Sequence, residues 1–237
     1  MRFRHLVSKL CPTGTALPVL AGPLRGTKWI VGAASGAGKG MSVLVNQAEP
    51  RLLAVARSWL TPASVSLDLG ANVGLYTLLF ARYGAHVHAF EPVPRNIAYL
   101  FRHCELNRAS NVTILPWAVS DHLDLARFQI GRSNALGRLS EAGNLPVVSM
   151  SLDKYARAMD RTPDLLKIDV EGAEERVLEG GRNLLYEARP KILLSVHGPT
   201  ARAACQRLLG EHGYRLTPLD NPNAGEAKNF ACLPSPS

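Results

Sequence analysis

Asp169 and Glu171 stand two residues apart in Lys167-Ile168-Asp169-Val170-Glu171-Gly172, and His197 follows in Ser195-Val196-His197-Gly198. Two carboxylates and an imidazole are groups that can orient a hydroxyl and take up its proton near neutral pH. Leu165 to Ile168 and Ile192 to Val196 are apolar runs, so each group falls at the carboxyl end of an expected strand. Open α/β sheets receive their ligands at that edge. Gly172 permits a sharp exit into the following helix. Glu171 and Glu174 also have a plainer reading as first-turn acids favoured by the positive end of that helix. For Glu174 the plainer reading is preferred, and for Asp169 the functional one. His86 and His88 are read as packing or surface residues.

A second group lies in Asp68-Leu69-Gly70-Ala71-Asn72-Val73-Gly74. The stretch follows an apolar run (Val65, Leu67) and precedes a helical pattern, so it reads as a strand, a tight glycine turn and a helix start. Gly70 and Gly74 let the turn adopt positive φ and approach a ligand closely. Glu91 ends the next apolar strand, about 20 residues on, the spacing at which an acidic side chain takes ribose hydroxyls in nucleotide-binding folds. The turn has Asn72 where a pyrophosphate cradle needs its second glycine, so a dinucleotide is not supported. S-adenosylmethionine suits it better: Asp68 for the ammonium, backbone N–H groups for the carboxylate and Glu91 for the ribose diol.

The elements that must position these groups alternate. Strands are expected at Val65 to Leu69, Ala85 to Phe90, Val112 to Leu115, Leu165 to Asp169, Ile192 to Val196, from Tyr214, and at Asn229 to Leu233. Between them, helical patterns carry Val73, Leu75, Tyr76, Leu79 and Phe80, then residues 95–106, an interrupted stretch 174–185, and residues 200–211. Such alternation argues an α/β fold with a largely parallel sheet and helices on both faces. Residues 123–150 break the rhythm with Gly131, Gly137 and Gly143 between short alternating runs, and read as a β insertion. Residues 1–60 are irregular apart from a short strand at Lys28 to Val31 and helical spacing at Arg51 to Trp59. They are expected to form an extension capping the site, ahead of a single domain over 61–237.

The 237 residues, 46% of them hydrophobic, suffice for one sizeable core. The formal charge of +8 comes from dispersed Lys and Arg with no aromatic interleaving, which points to solubility rather than nucleic-acid binding. Four separated cysteines form no C-x-x-C pair and argue against a zinc site or a disulfide framework. The basic start at Met1 to His5 lacks a sufficient apolar core for a signal segment, and no run approaches a membrane span, so a cytoplasmic protein with no membrane partner is expected. Gly32 to Gly40 imitates a phosphate loop but has Ala33 in place of its first glycine and Gly40 in place of the magnesium-binding Ser/Thr.

Asp-Leu-Gly-Ala-Asn-Val-Gly-Leu-Tyr-Thr (68–77), Ala-Phe-Glu-Pro (89–92) and Leu-Lys-Ile-Asp-Val-Glu-Gly-Ala-Glu (166–174), with Val177, Leu178 and Gly180, resemble the FkbM family of S-adenosylmethionine-dependent methyltransferases. Similarity extends to Asn107, Ala118-Val119-Ser120 and Ser151-Leu152-Asp153, and spans about residues 60–216. The resemblance implies a Rossmann-like class I methyltransferase fold, a seven-stranded mostly parallel sheet with a C-terminal antiparallel strand. It implies transfer of a methyl group, in line with the breaking bond to sulfur, to a hydroxyl of a natural product or saccharide. Asp68, Gly70, Ala71, Asn72, Gly74, Thr77, Glu91 and Ala118 are the implied cofactor-binding positions, and Asp169, Glu171 and His197 the catalytic ones. Ser195 stands where the family often has an acid, and residues 32–49 lack the family's G-x-Y-E entry sequence. Asp169 and Glu171 alone do not establish a metal site. An RNA methyltransferase and a non-catalytic binding protein of the same fold stay open, as does a homo-oligomer.

Overall fold

The computed structural model describes residues 11–34, 38, 40–131, 137–220 and 226–236. The basic start, and Ser35, Gly36, Ala37 and Lys39 of the loop resembling a phosphate cradle, lie outside the described residues.

Seven strands form the central sheet: β3 (Val65–Leu69), β4 (His86–Phe90), β5 (Val112–Leu115), β10 (Leu165–Ile168), β11 (Lys191–Ser195), β12 (Tyr214–Pro218) and β13 (Asn229–Pro234). Their spatial order is β12-β13-β11-β10-β3-β4-β5, with β13 antiparallel to both neighbours and the β11-β10-β3-β4-β5 pairings parallel. The class I methyltransferase fold and its C-terminal antiparallel strand are thus present. Strands β3 and β10 are buried at every position, as expected where helices cover both faces.

Between the strands run α3 (Leu75–Tyr83), α4 (Pro94–Leu106), α6 (Glu174–Glu179), α7 (Arg182–Glu187) and α8 (Pro199–Glu211). Leu67, Leu69, Leu166, Ile168 and Leu194 pack against Val177, Leu178, Leu185 and Leu208 in one core. The interruption expected within 174–185 falls between Glu179 and Arg182, where Gly180 has no room for a side chain: a β-carbon there would lie 2.3 Å from the Ser120 carbonyl oxygen.

The β insertion begins earlier than its glycines suggest. Strands β6 (Trp117–Ser120), β7 (Asp124–Ile130), β8 (Gly137–Leu139) and β9 (Leu145–Ser151) form a separate sheet in the order β6-β9-β7-β8, followed by α5 (Leu152–Ala156).

The N-terminal segment is more ordered than its pattern implies. It holds a hairpin of β1 (Ala16–Pro18) and β2 (Lys28–Ile30), then α1 (Met41–Leu44) and α2 (Pro50–Trp59). Trp29, Ile30, Leu52, Leu53 and Ala56 share a core with Leu78, Leu79, Phe80 and Val87. The attachment is also polar. His103 on α4 accepts the Ile30 N–H at 2.9 Å through Nε2 and meets the Val73 carbonyl at 2.7 Å through Nδ1. Burial lowers its pKa to about 4, so the ring is neutral and can do both. Trp29 stacks on that ring with centroids 4.3 Å apart, and Asn107 exchanges two hydrogen bonds with the backbone of Lys28.

Among the described residues no helix is long and apolar enough to cross a membrane.

Candidate active site

A cavity of about 460 Å³ opens over the carboxyl ends of β3, β4 and β10. Its wall includes Gly70, Ala71, Asn72, Glu91, Ala118, Asp169 and Glu171, together with Trp29, Val43 and Glu49 from the N-terminal segment and Phe128 and Leu139 from the β insertion. That volume lies within the range of small-molecule sites.

Glu91 sits at the end of β4, is 4% exposed, and holds the glycine turn in place. Its Oε2 accepts the Asn72 N–H at 2.8 Å, and its Oε1 accepts the Val93 N–H at 2.9 Å and the Asn96 amide at 3.2 Å. A carboxylate has about four lone-pair sites, so three donors leave capacity for another. Burial raises its pKa to about 7 despite those donors.

The turn itself serves differently from its sequence reading. Gly70 has φ +80°, and a β-carbon there would lie 2.0 Å from the Asp169 carbonyl oxygen. The glycine is therefore required by the adjoining strand end, before any ligand arrives. The N–H groups of Gly70 and Ala71 go to the Phe90 carbonyl, that of Asn72 to Glu91, and that of Gly74 to the Ala71 carbonyl. They shape the cavity rather than offering donors to a ligand carboxylate.

Three expected cofactor positions lie behind the wall. Asp68 is 1% exposed and accepts the Thr77 hydroxyl at 2.5 Å, and burial lifts its pKa to about 6. Gly74 has φ +100° and faces Leu100, whose Cδ1 a β-carbon would meet at 2.6 Å. Asp68, Gly74 and Thr77 join the strand to α3. The carboxylate that reaches the wall instead is Glu49, just before α2, which accepts the Tyr76 hydroxyl. Sequence reasoning gave Glu49 no role.

The three expected catalytic residues converge beside the cavity: Asp169 and Glu171 line it, and His197 stands next to them without being one of the lining residues. His197 Nε2 lies 3.8 Å from Asp169 Oδ1 and 3.6 Å from Glu171 Oε2. His197 Nδ1 meets Glu174 Oε1 at 2.9 Å, and the Glu174 carboxylate is 0% exposed. Glu174 also accepts the Gly172 N–H, so it turns the loop while it holds the imidazole. Hydrogen bonding to Glu174, opposed by burial and helped by Glu171 and Asp169, raises the His197 pKa. Burial raises that of Glu171. Glu174 is the expected first-turn acid, and it holds His197 as well.

Lys167 belongs to the same motif, and its role does not follow from the sequence pattern. It is 1% exposed, and its ammonium reaches Asp169 Oδ2 at 3.0 Å and the Ser195 hydroxyl at 2.7 Å, with the Tyr76 ring centroid at 5.1 Å. A lysine inside an apolar strand was the available signal, because a buried ammonium must find partners. Ser195 in turn donates to Asn229 Oδ1 at 2.8 Å.

Fold and site together define a class I methyltransferase: the sheet order, the acid after β4 and the polar cluster after β10 and β11 occur in one chain. The family model described as "Methyltransferase FkbM domain" matches residues 68–216, and the chain belongs to that family. It is 28% identical over 202 residues to 31-O-demethyl-FK506 methyltransferase FkbM of Streptomyces tacrolimicus, covering 69% of this chain and 77% of that protein. It is 26% identical over 148 residues to hexuronic acid methyltransferase AglP of Haloferax volcanii, covering 61% and 60%. The crystal structure of methyltransferase FkbM from Methylobacillus flagellatus KT superposes with a TM-score of 0.56 at 16% identity, covering 85% of this chain and 56% of that one. The chain thus spans little more than half of that solved protein.

Proposed function

We propose that this methyltransferase uses S-adenosylmethionine to methylate a hydroxyl of a small molecule, natural product or saccharide. The observation that carries the reading is one cavity lined by Glu91 together with Asp169 and Glu171. Glu91 has an acceptor position left for the ribose, Ala118 lines the same cavity, and Glu49 suits the ammonium because Asp68 is bonded to Thr77 behind the wall. When bound, the cofactor supplies an electrophilic methyl group open to in-line displacement from its sulfonium.

The chain's own groups then align the acceptor and exclude water. Asp169 and Glu171 receive its hydroxyl, and the proton leaves on their side, where Asp169 Oδ1 and His197 Nε2 face each other. Lys167 fixes the rotation of Asp169 and Glu174 that of His197. Trp29, Val43, Phe128 and Leu139 shield the cavity, so positioning carries much of the rate.

The relatives named for 31-O-demethyl-FK506 and a hexuronic acid support a small-molecule or saccharide acceptor. The test is a mass-shift screen. Fractionated extracts are incubated with the protein and either ordinary or trideuteromethyl cofactor, and small-molecule and RNA fractions are compared. A paired shift in a small-molecule or saccharide fraction is expected. A shift confined to RNA would replace this reading.

A further inference from the structure

We propose that Asp169, Glu171 and His197 form a divalent-cation site on the acceptor side of the cavity. The proposal rests on the reading that this face receives the acceptor hydroxyl. One ligand atom from each residue lies within 4.8 Å of the others, and the three come from the loop after β10 and the end of β11. Bonds of about 2.1 Å place neighbouring donors roughly 3 Å apart, so closing on an ion asks for a movement of about 1 Å or less from each side chain.

The remaining polar atoms are committed in the manner such a site requires. Asp169 Oδ2 is held by Lys167, which leaves Oδ1 turned to His197. Glu174 accepts at His197 Nδ1, so the neutral ring carries its proton there and presents the Nε2 lone pair to the two carboxylates. A carboxylate behind a histidine is the usual support of a metal-bound imidazole, fixing its tautomer and orientation. Glu174 is 0% exposed, and among the described residues its Oε2 has no hydrogen-bond partner.

The charges agree. Lys167 pairs with Asp169, whereas Glu171 and Glu174 face the His197 ring, so a divalent cation at Nε2 would sit where these carboxylates favour positive charge. Two carboxylate oxygens with one imidazole nitrogen suit Mn²⁺, Fe²⁺ or Zn²⁺ better than Ca²⁺. Asp169 and Glu171 line the cavity, so open positions on the ion face the acceptor, and a vicinal diol can occupy two of them. The acceptor O–H gives its proton to water while its oxygen lone pair forms the new bond to the methyl carbon. The carbon–sulfur bond breaks with its electrons going to sulfur, and the cation offsets the developing charge on oxygen.

The probe is Mn²⁺ alone, titrated into the untagged protein and followed by the loss of the free-ion electron paramagnetic resonance signal. One bound equivalent is expected, weakened more than tenfold in Glu171→Gln, Asp169→Asn and His197→Ala. Thermal melting and S-adenosylmethionine calorimetry on the same samples establish that each variant is folded with its cofactor site intact. No saturable Mn²⁺ binding, or binding that survives all three substitutions, overturns the cation site. If cofactor binding persists in that case, the methyltransferase reading stands and His197 Nε2 becomes the proton acceptor. A parent protein that binds Mn²⁺ but no S-adenosylmethionine overturns the methyltransferase reading instead.

Discussion

Glu174, a carboxylate with no exposed surface, meets His197 Nδ1 at 2.9 Å and fixes which ring nitrogen faces Asp169 and Glu171. Glu174→Gln keeps the shape but offers an amide in place of the carboxylate. Turnover is expected to fall about 10–100-fold, the usual effect of losing such a supporting carboxylate, with cofactor affinity within about twofold of the parent. Steady-state kinetics beside calorimetry separate the two. Equal loss in both would make Glu174 a general structural residue.

Lys167 stands in the same relation to Asp169. Lys167→Met removes the ammonium at nearly constant volume and leaves Ser195 and Asp169 without it. Because Asp169 is partly exposed, water can replace part of what it loses, and a destabilisation of about 1–3 kcal/mol is expected in denaturant melts. No change in midpoint would mean that the ammonium contributes nothing net.

Glu91 gives the pH dependence. Its pKa in the fold is raised to about 7 from an ordinary 4.5, so the native state holds an extra proton between those values. Its contribution to stability is therefore greatest below pH 4.5 and declines as pH rises to about 7. Cofactor binding has the opposite slope, because ribose hydroxyls donate to the ionised form. Affinity is expected to rise up to about tenfold per pH unit approaching pH 7 and then level off. Glu91→Gln should lose that slope and about 1–3 kcal/mol of binding. Calorimetry at pH 6 and pH 8 checks both; a pH-independent parent would remove Glu91 from the ribose.

Gly70 and Gly172 both have positive φ but different surroundings. A β-carbon at Gly70 would meet the Asp169 carbonyl, whereas one at Gly172 would have nothing within 4 Å among the described residues. Gly70→Ala is expected to cost roughly 2–5 kcal/mol, from strain plus the clash, and Gly172→Ala only the strain of about 1–2 kcal/mol. Thermal melting of the pair tests the difference. Equal losses would show that the contact at Gly70 relaxes freely.

The sheet was legible because its strands are short apolar runs bounded by turn residues: Val65 to Leu69 and Val112 to Leu115 fall where their patterns end. The positions of Glu91, Asp169 and His197 after their strands were legible for a related reason, since each follows such a run. What escaped depends on contacts between distant residues. Trp29 and His103 are 74 positions apart, and no local period announces that one ring will pack on the other. Strand β6 escaped because four residues after Pro116 are too few to show alternation. The roles of Glu174 and Glu49 required knowing which side chain lay opposite. Asp68 reads as a ligand residue from its motif and is instead turned inward by Thr77.

The most direct test supplies cofactor carrying a ¹³C-labelled methyl group, with the fraction found active in the mass-shift screen, to the parent protein and to Asp169→Asn. Carbon resonance of the product identifies the atom that receives the label. The expected result is a methoxy carbon on a small molecule or saccharide, formed by the parent and slowed more than about tenfold in the folded variant. Label on nitrogen or only in RNA, or equal rates in parent and variant, would contradict hydroxyl methylation on the Asp169 face of the cavity.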